Sequence, residues 1–152
     1  MKWTEKCILD LEHHGLFEDD GHRRRFHDLL DCYFDKPFFG KGLCKCMYLS
    51  AWDVDHFSIM LDTLNSTLIE KDFRLNLMKD QGQIYQAEAH YEKDPSQEEM
   101  WKLTNSFIRG TGYDPSGLAG LEINFPETAY IIKRALTAAK LIDELPPIQR
   151  NL

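Results

Sequence analysis

The sequence predicts an all-α fold, a single irregular domain of about six helices in which one short segment could be β. Apolar residues recur three or four positions apart along most of the chain, and this spacing places them on one face of a helix. Glycine and proline stand between these stretches, where helices usually end. The chain has 152 residues, of which 43% are apolar and 28% are charged. That is enough to bury one hydrophobic core.

The chain shows no internal repeat and no shift in composition that would mark a second domain. We therefore expect one helical domain over residues 1–152, in which residues 146–152 form a short C-terminal tail. Pro146 and Pro147 begin this tail. They end the preceding helix, because proline lacks the backbone N–H that a helix needs.

Two helices are predicted near the N-terminus, over residues 4–16 and 22–34, with Gly15 near the end of the first. The clearest amphipathic helix begins at Asp53 or Asp55, since an acidic residue suits a helix N-terminus as cap or as favourable charge. The apolar residues of this helix recur at a spacing that only a helix places on one face. They are Phe57, Met60, Leu61, Leu64 and Leu68.

Further helices are predicted over residues 83–91, 96–110 and 127–145. Ser96 and Glu99 have the spacing of a capping box, in which each side chain bonds to the backbone of the first helical turn. The second of these helices ends in a glycine, which can adopt the positive φ angle of a helix terminus.

Three short segments are not assigned to helices. Residues 73–77 alternate in polarity like a strand. Cys44–Met47, in an apolar stretch that could be helix or strand, and Leu118–Phe125 are left open between strand and loop.

The charge of the chain excludes several partners. Acidic residues outnumber lysine and arginine by 25 to 18, which gives a net charge of −7. This argues against nucleic acid and against a membrane as partner, because a protein that binds an anionic surface needs clustered basic residues.

No apolar stretch reaches the roughly 18 residues of a membrane span, and no secretory signal follows Met1. We expect a cytoplasmic protein with reduced thiols at Cys7, Cys32, Cys44 and Cys46.

Residues 23–25 are all arginine and form the only basic cluster. They lie at the predicted start of a helix, where positive charge is unfavourable. We expect them to pair with the acidic residues 18–20 just upstream.

A metal-dependent phosphohydrolase of the HD type is the enzymatic alternative. Such enzymes hold cations between a histidine, a later His-Asp pair and a distant aspartate. In this chain the pair His27-Asp28 follows His13 and His14 by only 14 or 13 residues, which leaves little room for the connection that such a site uses. The stronger interpretation is solvated or helix-end histidines, with no metal and no other cofactor.

A candidate binding surface lies in the middle of the chain, where no lysine or arginine occurs between Lys45 and Lys71. This surface would attract a basic protein partner, and its aromatic residue would serve as an anchor. The alternative is an acidic face that keeps the protein soluble, with the aromatic residue in the core. The candidate residues are Trp52, Asp53, Asp55, Asp62 and Glu70. The last three lie off the apolar stripe of their helix and are expected to face solvent.

In its size, its acidity, its lack of a catalytic motif and the stretch 49–57 (LSAWDVDHF), the chain resembles the small immunity proteins of bacterial contact-dependent inhibition and related polymorphic toxin systems. The resemblance implies a non-catalytic inhibitor that binds a cognate toxin domain, often a basic nuclease, and covers its active site. Electrostatic complementarity would make this association fast. A third hypothesis is a helical interaction module that forms a homodimer through exposed apolar helix faces.

Overall fold

A computed structural model describes residues 1–70 and 95–148. These residues form seven α-helices and contain no strand, which confirms the all-α prediction. None of these helices is long and apolar enough to cross a membrane. The helices are α1 (Trp3–His13), α2 (Asp20–Tyr33), α3 (Lys41–Ser50), α4 (Val54–Glu70), α5 (Pro95–Arg109), α6 (Leu118–Asn124) and α7 (Pro126–Glu144). One turn of 3-10 helix, Pro115–Gly117, leads directly into α6.

Both short segments left open between strand and loop are helical. Cys44–Met47 belongs to α3, in which residues 43, 44 and 46–50 are all buried. Because this helix is buried on nearly every side, only Lys41 and Lys45 mark a polar face in the sequence, too few to show its period. Leu118–Phe125 forms α6 up to Asn124. The predicted strand at 73–77 and the predicted helix at 83–91 lie outside the described residues.

Helix α3 is at the centre of the fold, where it packs against α2, α4, α5 and α7. The buried apolar residues form one cluster around it, and Tyr48 is the largest fully buried side chain. At Gly42 an added Cβ would lie 2.6 Å from the backbone carbonyl oxygen of Phe107. Only glycine therefore allows α3 and α5 to approach this closely.

The predicted helix ends agree with the structure to within a few residues. Gly15, after α1, and Gly110, after α5, have φ angles of 63° and 69°, a left-handed conformation that glycine adopts without steric penalty. Helix α5 begins at Pro95, one residue before the predicted cap at Ser96. Helix α7 begins at Pro126, because proline fits the first turn of a helix.

The start of the predicted C-terminal tail is fixed to the N-terminal part of the chain. The indole Nε1 of Trp3 donates to the backbone carbonyl of Pro146 at 2.9 Å. The Lys41 ammonium group donates to the carbonyls of Asp143 and Leu145 at 3.1 and 2.6 Å. Lys41 thereby satisfies carbonyl groups at the end of α7 that have no partner within the helix.

Candidate functional site

Asp53, one of the predicted partner-binding residues, caps α4. Its Oδ1 accepts the backbone N–H of His56 at 2.8 Å and lies 2.7 Å from Nδ1 of the same residue. Burial alone would raise the pKa of Asp53, but the hydrogen bonds from His56 outweigh it and lower that pKa. The carboxylate thus satisfies a backbone donor at the helix start, and this confirms the expected role of Asp53 at the helix N-terminus.

Trp52 lies at the edge of the core. Its side chain is half-buried and packs against the core cluster. Its indole ring stacks on the His56 imidazole, with ring centroids 5.7 Å apart. The backbone carbonyls of Ala51 and Trp52 accept from Arg25 at 2.7 and 2.9 Å. Trp52 therefore has a structural role.

The residues of α4 that point away from the core form a continuous face with two acidic side chains and no basic one. We call this the outer face of α4, and it consists of Val54, Asp55, Ser58, Asp62, Asn65, Leu68 and Ile69, all exposed. The predicted exposure of Asp55 and Asp62 is confirmed. Three apolar residues accompany them, with exposed fractions of 62% for Val54, 45% for Leu68 and 82% for Ile69. Glu70, the remaining predicted contact, is the last residue of α4.

The arginine cluster does not pair with the acidic residues 18–20, the partners that the sequence predicts. Arg23 pairs with Glu12 of α1 at 3.3 Å, while Arg25 bonds to the backbone carbonyls that follow α3. The acidic residues upstream are engaged elsewhere: Asp19 caps α2, and Glu18 pairs with Arg134 at 2.5 Å. The expectation of local pairing was wrong, because helix packing brings carbonyls and carboxylates from distant parts of the chain to these guanidinium groups.

The residues of the HD-type alternative do not form a metal site. His13 and His14 are exposed at the end of α1, and His14 bonds to the carbonyl of Asp10. His27 and Asp28 are exposed on α2 and contact each other at 3.7 Å. Residues 1–70 and 95–148 contain no group of three or more side chains that could hold a metal ion.

A different histidine, His22, is fully buried. Its Nδ1 accepts the backbone N–H of Glu18 at 3.2 Å, so its Nε2 carries the proton and donates to the carbonyl of Tyr48 at 2.8 Å. Burial, opposed by this last hydrogen bond, lowers the pKa of His22 from 6.5 to about 4. The ring is neutral at physiological pH and connects α2 to α3.

The cysteines are free thiols. Cys44 and Cys46 are fully buried in α3, and this burial raises the pKa of both thiols. They remain protonated at neutral pH and serve as small apolar residues of the core.

A polar cavity of about 310 Å³, which the sequence does not predict, lies between α5 and the segment that follows it. On its wall, the Glu99 carboxylate accepts the Tyr113 hydroxyl at Oε2 and lies 3.3 Å from the Lys102 ammonium at Oε1. The sequence predicts only a local role for Glu99, as a member of a capping box. Its contact with Tyr113, 14 residues away, has no sequence signature.

Comparison with protein-family models, with curated proteins and with solved structures found no match to this chain.

Proposed function

We propose that the protein is a non-catalytic binding protein of the cytoplasm that neutralises a basic, nuclease-type toxin domain by stoichiometric binding, as an immunity protein does. The outer face of α4 is the proposed contact surface. The observation that carries the proposal is the composition of this face, which combines exposed carboxylates with exposed apolar side chains and contains no lysine or arginine.

The charges on this face are available to a partner. Asp55 and Asp62 are exposed, whereas Asp53 is used as a helix cap. Exposed carboxylates attract a basic protein over a distance of about one Debye length, roughly 10 Å at 0.1 M salt. They therefore mainly raise the association rate.

The apolar residues at the two ends of the face supply area that binding would bury. Val54 lies at the first turn of α4, and Leu68 and Ile69 lie at its last turn. Burying an apolar side chain contributes on the order of 1.5–3 kcal/mol, more than an exposed ion pair contributes. In this arrangement the carboxylates guide the partner and the apolar residues hold it.

The test is co-purification and protection. The proposal predicts that a large toxin is encoded directly upstream of this gene, and the protein is co-expressed with the C-terminal domain of that toxin. We expect a 1:1 complex and survival of cells that otherwise die from the toxin domain. The proposal fails if the pair neither co-purifies nor protects. A concentration-dependent doubling of mass without the toxin domain would instead favour the homodimer.

A pair of matched variants tests the surface. Neutralising both carboxylates (Asp55→Asn with Asp62→Asn) should slow association about tenfold at low salt and reduce its salt dependence. Asp28→Asn with Glu144→Gln removes the same charge from exposed positions on α2 and α7 and should change the rate less than about twofold. Equal effects of the two pairs would show that net charge, and not the outer face of α4, governs binding.

A further inference from the structure

We infer that the cavity beside Glu99 is a binding site for a guanidinium group, carried either by a small molecule or by an arginine side chain. The cavity is lined by residues of α5 and of the segment 111–117, and it is distinct from the outer face of α4. The inference therefore does not depend on the proposed function.

The carboxylate in the cavity wall is held in place by its neighbours. Glu99 is only 7% exposed, and the Tyr113 hydroxyl donates to its Oε2. An added Cβ at Gly117 would overlap its Oε1, so the glycine leaves room for the carboxylate. A charged group that is buried and fixed by hydrogen bonds loses little freedom when it binds a ligand, which favours affinity.

Three of the side chains that line the cavity bring acceptor oxygens, namely Glu99, Asn105 and Asp114. Each oxygen of the Glu99 carboxylate has two lone pairs, so it can accept further hydrogen bonds. Asn105 also lines the cavity, and its Oδ1 is buried without a hydrogen-bond partner among the residues that the structure describes. Asp114, whose Oδ1 accepts the backbone N–H of Ser116 at 3.0 Å, is a second carboxylate in the lining. A ligand that brings several N–H donors and a positive charge complements this set.

Within residues 1–70 and 95–148, Lys102 is the one cation that lines the cavity. Its ammonium lies 3.3 Å from Glu99 and 3.7 Å from Glu98, and its side chain is 50% exposed. Because its side chain is half exposed, the ammonium can move into solvent when another cation reaches Glu99. The Lys102 ammonium thus lies where the positive charge of a ligand would lie, and it competes with the ligand for Glu99.

The arrangement of N–H donors on a guanidinium group suits this carboxylate better than that on an ammonium group. Guanidinium is planar and presents five N–H groups, which bond to both oxygens of a carboxylate at once. An ammonium group offers three donors at a single point. The volume of about 310 Å³ is sufficient for a whole arginine side chain.

The test is titration of the full-length protein with argininamide, followed by NMR or calorimetry at low salt. We expect saturable binding with a dissociation constant on the order of 1 mM. Citrullinamide, which has the same shape but carries no charge, should bind at least about tenfold more weakly. Equal binding of the two compounds, or no saturable binding of argininamide, would overturn the inference.

Three variants locate the site. Glu99→Gln should weaken argininamide binding about tenfold or more, whereas Glu98→Gln, which removes an exposed carboxylate one residue away, should change it less than about twofold. Lys102→Met alters an exposed residue, so the protein should remain folded, and it should tighten binding severalfold by removing the competing cation. The assignment is wrong if Glu98→Gln weakens argininamide binding as much as Glu99→Gln does, or if Lys102→Met weakens it.

The two sources of the guanidinium are separated by a second pair of probes, agmatine and an amidated Gly-Gly-Arg-Gly-Gly peptide. Binding of agmatine alone indicates a free small molecule, and binding of both indicates that a protein arginine can enter. The variant Asp55→Asn with Asp62→Asn should bind argininamide like the wild type. Loss of toxin binding and loss of guanidinium binding are therefore distinguishable outcomes.

Discussion

Acidification should destabilise the fold through the buried imidazole of His22. In the folded protein both ring nitrogens are hydrogen-bonded to backbone groups, and burial lowers the pKa from 6.5 to about 4. Between these values the unfolded chain binds a proton that the folded chain does not. The contribution of the neutral His22 ring to the free energy of unfolding is therefore complete above about pH 6.5 and is lost as the pH falls towards 4.

The expected magnitude follows from the difference between the two pKa values. Full titration corresponds to about 3 kcal/mol, at roughly 1.4 kcal/mol for each pKa unit. Between about pH 7 and about pH 4.5 the loss amounts to about 2 kcal/mol. This is a large part of the 5–15 kcal/mol that is usual for the unfolding of a domain (about 0.1 kcal/mol per residue).

The assay is urea unfolding, followed by tryptophan fluorescence at a series of pH values. His22→Gln keeps an N–H donor for the carbonyl of Tyr48 but removes the titrating group, so the variant should lose about 2 kcal/mol less than the wild type on acidification. His27→Gln is the matched control, because His27 is on the same helix and its side chain is 50% exposed. It should follow the wild-type curve.

Two results would refute this reasoning. One is a wild-type protein and a His22→Gln variant whose free energies of unfolding fall in parallel between about pH 7 and about pH 4.5. The other is a native-state NMR titration in which the His22 ring protons shift with a midpoint near the ordinary histidine value of about 6.5.

Three further predictions concern the contacts that position the helices, and two of them have a matched control substitution. Asp53→Ala removes the cap of α4 and should lower the free energy of unfolding by about 1 kcal/mol in urea titrations; a neutral result would show that the cap contributes nothing. Arg25→Met leaves two carbonyls without their donor and should cost about 2 kcal/mol, whereas Arg24→Met, at an exposed position, should stay within about 0.5 kcal/mol. Gly42→Ala should lower the melting temperature, because the added Cβ would clash with the backbone of α5. Gly120 lies in a helix with nothing within 4 Å of an added Cβ, so Gly120→Ala should stabilise the protein by about 0.5–1 kcal/mol. A change in stability in the same direction for Gly42→Ala and Gly120→Ala would contradict the close packing of α3 on α5.

The features of α4 that depend on local interactions were predictable. The position of Asp53 at the helix start follows from capping, which involves residues three apart. The exposure of Asp55 and Asp62 follows from the period of the apolar stripe. Local interactions involve neighbours within one helical turn, and these neighbours are visible in the sequence.

The contacts that determine the role of a polar residue were not predictable. Arg25 bonds to carbonyls 26 and 27 residues away, and Glu99 meets a hydroxyl 14 residues away. Their partners depend on how separate helices pack, and a single sequence contains no direct signal of that packing. For this reason the sequence does not reveal the cavity beside Glu99, and it predicts the wrong partners for the arginine cluster.

The sequence by itself determined that the chain is helical, where several of its helices end, and which stretch lacks basic charge. Only the tertiary structure decided that Cys44–Met47 is helical, that Trp52 packs at the edge of the core, and that Glu99 meets Tyr113 beside a polar cavity. The physical reason is that helix formation and capping are local, whereas burial of a side chain depends on every element packed around it.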